Sequence, residues 1–141
     1  MERGEFVELD HTADVGLALR GATPGAILEA AQRGLICLLM GDLDGLQSDT
    51  ARTVTLSSAS YPDLLKAWCE LVYRLLEDDG FVALQTEIRS VEPTALVAQL
   101  LGTCPPRDRV TAASELKAVT YHQLAFEPAP GGWHGRVVFD V

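Results

Sequence analysis

The stretch of the sequence with the greatest capacity for chemistry is VELDHTADVG, residues 7–16. It places four groups that can coordinate a cation or form hydrogen bonds within five residues: Asp10, His11, Thr12 and Asp14. From these residues alone, two interpretations remain open. The segment is either a polar turn, in which Asp14 accepts hydrogen bonds from local amides, or half of a cation site whose other half lies elsewhere in the chain.

A second candidate lies in the segment VVFDV, which ends at Val141. In a strand, Asp140 points to the face opposite Val137 and Phe139. One interpretation is a solvated carboxylate at a fraying end. The other is a set of hard-cation ligands, because Ca²⁺ takes several oxygen ligands at about 2.3–2.6 Å. The Asp140 side chain and a main-chain or terminal oxygen of Val141 would then join Asp14.

Other polar residues form weaker patterns. Lys117 and His122 flank a run of strand formers, and a catalytic role for His122 would require a nearby nucleophile. The sequence has no GxSxG motif, no activated-cysteine pattern and no phosphate-binding loop. The segment with Asp42 and Asp44 lacks the glycine and glutamate spacing of an EF-hand, so we expect an ordinary loop there.

Hydrophobic periodicity predicts the elements that must position these residues. A helix is expected from Pro24, preceded by Thr23 as its N-cap, to about Met40, and a second helix from Ser60 or Pro62 to about Gly80. Residues 102–114 are the least ordered by composition. Strands are predicted at Phe6–Leu9, Val15–Arg20, Thr53–Leu56, twice within Phe81–Leu101, and at Leu116–Phe126 and Trp133–Val141.

This element order, β-β-α-β-α-β-β-β-β, leaves most links between strands too short for a crossover. It predicts an α+β fold, in which two helices pack on a mainly antiparallel, mixed sheet. With 141 residues the chain is expected to form a single two-layer domain over residues 1–141.

Composition excludes several classes of function. The formal charge of −9 and the lack of a basic stripe argue against direct tight binding of nucleic acid and favour a basic protein partner or a cation. The start of the chain has no apolar signal segment, and no apolar run could span a membrane. The three cysteines lack the spacing of a zinc or redox motif. We therefore expect a cytoplasmic protein with no membrane contact.

Three separated motifs resemble the archease family: DHTADVGLALRG near the start, ELKAVTYHQL at residues 115–124 and WHGRVVFDV at the end. The helix DLLKAWCELVYRLLEDDGFV lies between them, as it does in that family. The resemblance implies an archease-like fold and a small protein that assists the RtcB-type RNA ligase of tRNA splicing and RNA repair. Such proteins promote guanylylation of the active-site histidine of the ligase, allow multiple turnovers and broaden its nucleotide use, and they are not ligases themselves.

The resemblance also implies a divalent-cation site, with calcium as the expected ion. Its ligands fall on Asp14, Asp140 and a main-chain oxygen of Val141. Candidate contacts with the partner ligase are His11, Lys117 and His122.

Two other functions are compatible with the residues. One is an autonomous metal-dependent hydrolase or transferase that uses His11, Asp14 and His122. The other is a domain that binds a small molecule in an apolar groove between helix and sheet. Turnover without any ligase would favour the first, and stabilisation by a ligand that is insensitive to Asp14 and Asp140 would favour the second.

Overall fold

The computed structural model describes residues 2–10 and 14–141, with side chains for all of these except Asp10 and Asp14. Within these residues the α+β class is confirmed. In chain order, the elements are β1 Glu5–Asp10, β2 Asp14–Gly21, α1 Pro24–Met40, β3 Thr50–Ser57, α2 Tyr61–Asp79, β4 Val82–Glu92, β5 Ala95–Thr103, α3 Arg107–Thr111, β6 Ala118–Val119, β7 Ala125–Ala129 and β8 Gly132–Asp140.

Helix α1 has the predicted bounds because both of its ends carry local signals. The Thr23 side chain accepts a hydrogen bond from the Ala26 amide, and Pro24 occupies the first turn, where a missing N–H costs nothing. At the other end Gly41 has a φ of 71° and its amide bonds to the Cys37 carbonyl. The helix is buried along most of its length.

Helix α2 also begins and ends where its capping residues predict. The Ser60 side chain accepts from the Asp63 amide, and Gly80 takes the left-handed conformation that closes the last turn. One face of the helix packs in the core around Trp68, which is fully buried. None of the helices in the described part of the chain is long and apolar enough to cross a membrane.

The strands form two sheets in which every described pair is antiparallel. One sheet has three strands in the order β3-β5-β4. The other has five, in the order β1-β2-β8-β6, and β7 also pairs with β8. Strand β8 therefore has β2 along one edge and both β6 and β7 along the other. The mainly antiparallel pairing predicted from the sequence is confirmed, and the structure adds the division into two sheets.

Buried polar groups connect α1 with the elements around it. The Trp68 indole N–H donates to the Leu28 carbonyl at 2.8 Å, which ties α2 to α1. The Gln32 side chain donates to the Ala83 carbonyl at 2.8 Å and accepts from the Thr86 hydroxyl at 3.0 Å, which ties α1 to β4. Because buried polar groups are costly unless paired, these bonds fix the depth at which α1 lies against its neighbours.

The predicted strand Leu116–Phe126 is in fact split. Val119 pairs with Phe139 and Ala125 pairs with Arg136, so β8 contributes two residues between these pairs while the other chain segment contributes five. The surplus residues 120–124 leave the ladder as a turn, in which Gln123 has a φ of 53°. The pattern of strand-forming residues in 116–126 does not show that β8 has too few residues to pair with all of them.

The segment 102–114, expected to be the least ordered, contains the short helix α3. Arg109 in this helix donates to the carbonyls of Asp42 and Asp44, at 3.1 and 2.8 Å. The Asp42 carboxylate accepts from the Asp44 amide at 2.8 Å. This is the geometry of an ordinary aspartate turn, in agreement with the loop predicted there.

Candidate functional site

The register between β2 and β8 brings the two candidate carboxylate positions together. Asp14 and Asp140 are direct Cα partners in this antiparallel pair. Directly opposite positions in an antiparallel pair share a face of the sheet. The polar segment near the start of the chain and the segment VVFDV thus meet at one end of the five-stranded sheet, while His11 lies outside the described residues.

Strand β6 holds the other side of Asp140. Ala118 is its Cα partner, and the Lys117 amide donates to the Asp140 carbonyl at 2.8 Å. Asp140 is partly buried between these two neighbouring strands. Val141 follows immediately, outside the ladder, and its exposed fraction is 46%. The main-chain oxygen of Val141 is therefore not committed to a strand partner among the described residues.

Helix α2 positions the segment that contains Lys117. The Tyr73 hydroxyl accepts from the Leu116 amide at 3.1 Å and donates to the Glu77 carboxylate at 2.8 Å. Partial burial, followed by the nearby Glu77 carboxylate, raises the pKa of Tyr73, so the hydroxyl keeps the proton that it donates. Lys117 itself is exposed beside Asp140.

His122 lies in the turn between β6 and β7. Its amide donates to the Thr120 hydroxyl at 3.2 Å, and that hydroxyl donates to the Val138 carbonyl at 3.0 Å. Beside it, the exposed Tyr121 ring lies 4.8 Å from the Lys66 ammonium. The imidazole of His122 is exposed. The structure therefore brings positions 14, 117, 140 and 141 together and leaves His122 on the adjoining turn.

The donor types at this end of the sheet suit a hard cation. Carboxylates and main-chain carbonyls are the ligands that Ca²⁺ and Mg²⁺ prefer, whereas thiolates favour softer metals. Cys69 is fully buried in α2, where desolvation raises the pKa of its thiol to about 12. Among side chains that the structure describes, no group of three or more His, Cys, Asp or Glu residues converges. A cation here would depend on the Asp14 carboxylate, which is outside that set.

Sequence reasoning missed a second polar cluster, on the same sheet but further along its strands. Arg20 and His134 are direct partners in the β2–β8 register, and Arg136 lies two residues further along β8. Nearly the whole chain separates Arg20 from the other two. Only the alternation in WHGR, which places His134 and Arg136 on one face of a strand, could have signalled part of the cluster.

A model of the archease protein family (MTH1598/TM1083) matches residues 6–141. The chain belongs to the archease family. It is 31% identical to the protein archease of Methanosarcina acetivorans and 29% identical to that of Methanosarcina barkeri. Each alignment covers 97% of this chain and 96% of the relative. The motifs at both ends of the chain thus lie within the part that matches the archease family.

Two solved structures share the archease fold of this chain. The solution structure of Methanobacterium thermoautotrophicum protein 1598 superposes with a TM-score of 0.70 at 22% identity, covering 100% of both chains. The crystal structure from Thermotoga maritima, described as an archease and possible chaperone, gives a TM-score of 0.62 at 22% identity over 94% of each chain. At this identity the likeness concerns the fold.

Proposed function

We propose that this archease is a non-catalytic protein cofactor that activates an RtcB-type RNA ligase in tRNA splicing and RNA repair. It would act in the cytoplasm by promoting guanylylation of the ligase and allowing multiple turnovers. Family membership supports the helper role. The observation that carries the proposal is the β2–β8 register, which sets Asp14 opposite Asp140 at one end of the sheet.

The proposal includes a divalent cation, with calcium as the expected ion. The side chains of Asp14 and Asp140 and the main-chain oxygen of Val141 would hold it. A bound divalent ion would supply concentrated positive charge next to a partner. The protein's part is to fix the ligands: the Lys117 amide holds the Asp140 carbonyl from one side, and β2 holds the strand from the other. Exposed Lys117 and His122, with His11, are the proposed contacts with the ligase.

An activator of this kind fits the physics of guanylyl transfer. The transition state of a phosphoryl transfer is controlled mainly by positioning and charge, so a second protein can accelerate it by placing groups correctly. The net charge of −9 suits docking on a basic RNA-binding enzyme. If this attraction drives docking, then raising the salt concentration from low to physiological should weaken activation.

The decisive experiment is a multiple-turnover RNA ligation assay with the cognate ligase. We expect the archease to raise the number of turnovers per ligase, and a chelator to remove this effect until calcium is restored. Unchanged ligation with and without the archease would contradict the proposal. Turnover of nucleotide or RNA by the archease alone would instead support an autonomous metal-dependent hydrolase or transferase.

A further inference from the structure

The five-stranded sheet has one face that the helices do not cover. Its core-facing side chains include Leu17, Leu19 and Phe139, which are buried against the helices. The opposite face carries Val7, with an exposed fraction of 63%. A cavity of about 600 Å³ opens on that face, between β1, β2, β8 and the turn that joins β7 to β8. We call this cavity the outer-face pocket.

Three basic side chains belong to this pocket. Arg20 on β2 lies directly opposite His134 on β8, and Arg136 lies opposite Ala18. Residues two apart on a strand share a face, so His134 and Arg136 are neighbours along β8. Trp133 lines the pocket without presenting its ring, because the ring packs against Tyr61 at a centroid distance of 5.1 Å, among the core-facing aromatics.

Two nitrogen atoms in the cluster are buried without a hydrogen-bond partner in the described part of the chain: Nδ1 of His134 and Nε of Arg136. Buried donors and acceptors are normally paired, because a buried group without a hydrogen bond has lost its contact with water and gained nothing in return. Both atoms belong to side chains that line the same pocket. Each of the two nitrogen atoms therefore lacks a hydrogen bond within the described part of the chain, which a bound ligand could supply.

Acidic side chains lie beside two of the three basic residues and not beside the third. Glu5 lies opposite Arg20, and the Glu127 carboxylate is 3.3 Å from Nε2 of His134. Across the strands Arg136 faces only alanines, Ala18 on β2 and Ala125 on β7. Arg136 is therefore a cation with no acidic cross-strand partner, in a chain whose overall charge is −9.

We propose that the outer-face pocket binds a small phosphate-bearing anion, with Arg136 as the principal clamp and His134 and Arg20 beside it. A guanidinium matches phosphate oxygens with two parallel hydrogen bonds. Three donors in a row suit an oligophosphate better than a single carboxylate, which has only two oxygens. The volume lies in the range of ligand pockets, and Ala18 and Val7 offer apolar surface beside the donors.

This site is separate from the carboxylate pair. Arg136 and Asp140 are four residues apart on β8, which is about 13 Å along a strand. Anion binding here does not depend on the cation or on the ligase, so the two proposals can fail independently.

The test is isothermal titration of the purified archease with sodium pyrophosphate, at constant ionic strength and without divalent ions. Wild type should bind saturably with one site. Arg136→Gln should weaken binding by at least tenfold, and Arg136→Lys should have an intermediate effect because it keeps the charge and loses the paired geometry. Arg74→Gln, at an exposed arginine of α2, removes the same charge elsewhere and should leave binding unchanged.

Thermal unfolding separates loss of binding from loss of fold. Pyrophosphate should raise the unfolding temperature of wild type and of Arg74→Gln but not of Arg136→Gln. The proposal is overturned by any of three results: no saturable binding to wild type, equal binding by folded Arg136→Gln, or a citrate affinity equal to that for pyrophosphate. Binding of a single-stranded oligonucleotide without binding of pyrophosphate would also overturn it. If Arg136→Gln does not fold, wild-type affinity in Arg136→Lys decides against the proposal.

Discussion

The two sheets of this archease are built in different ways. The three-stranded sheet pairs β5 with its immediate predecessor β4 and, across α2, with β3. Leu96, Ala98 and Leu100 on β5 turn inward in strict alternation and are buried. The five-stranded sheet joins β2 to β8 across nearly the whole chain, and its β8 edge is shared by β6 and β7. The five-stranded sheet also contributes core residues, such as Leu17 and Phe139, but along β8 the core residues alternate with Asp140 and Arg136 on the opposite face. Changes at core-facing positions and changes at outward-facing positions should therefore have different consequences.

The strongest contrast is expected from Asp140→Asn. The substitution keeps the size of the side chain and removes the charge that a divalent ion would need, so ligase activation should fall by at least tenfold. The free energy of unfolding should change by less than about 1 kcal/mol, since the backbone bond from Lys117 to Asp140 is retained. The measurements are multiple-turnover ligation and urea unfolding.

The matched control is Asp49→Asn, at an exposed aspartate just before β3 that makes the same change in net charge. It should leave activation intact. Full activation by Asp140→Asn would show that the Asp140 carboxylate is not needed for activation. Equal losses of activation in both variants would show that only the net charge of the protein matters.

The converse variant is Trp68→Ala, in the buried core where α2 meets α1. It empties a fully buried site and leaves the Leu28 carbonyl without its indole donor. A loss of about 3–5 kcal/mol in unfolding free energy is expected. At temperatures where the variant is still folded, calcium affinity should equal that of wild type. A calcium affinity that fell together with stability would show that the two regions are coupled.

A smaller effect is expected where α1 meets the three-stranded sheet. Gln32→Met keeps the volume of the side chain but leaves the Ala83 carbonyl and the Thr86 hydroxyl unpaired. The expected cost is about 1–3 kcal/mol. Amide hydrogen exchange should accelerate in β4 more than in β8. The control is Gln47→Met at an exposed position, which should change neither stability nor exchange. Equal acceleration of exchange in both sheets would contradict a role for Gln32 in holding β4 against α1.

The smallest effect concerns alkaline pH. Burial raises the pKa of Cys69 to about 12, above that of an unfolded thiol, so the folded protein holds a proton that the unfolded chain releases. The contribution of Cys69 is complete below pH 8 and is lost as pH rises from about 9 towards 12. Between pH 8 and pH 10, Cys69→Ala should lose about 1–2 kcal/mol less stability than wild type. The exposed Cys104→Ala should follow wild type, and parallel curves for Cys69→Ala would exclude this origin.

Much of the fold could be predicted wherever the determinant is local. Thr23, Pro24 and Gly41 fix both ends of α1, and the two strands predicted within Phe81–Leu101 are β4 and β5. The split of the predicted strand Leu116–Phe126 could not be predicted, because it arises from a mismatch in length between residues 120–124 and the opposing residues of β8.

The candidate site divides in the same way. Residue types indicated that Asp14 and Asp140 could share a cation, as one of two interpretations, and the family resemblance implied the same ligand set. The β2–β8 register that makes the two residues direct partners could not be predicted, because cross-strand register is set by the whole sheet. The outer-face pocket was not predicted at all. Arg20 and Arg136 meet there through the β2–β8 register, which no local pattern encodes.

The position of β8 inside the five-stranded sheet has a consequence for synthesis. Strand β2 is made before most of the fold, yet its second neighbour is the strand that follows all the others in the described fold. Contacts between such distant segments form late, after the entropy of a long loop has been overcome. A translation product interrupted before β8 would carry an open β2 edge and no counterpart for Asp14. The proposed cation site therefore cannot be completed until β8 has been synthesised.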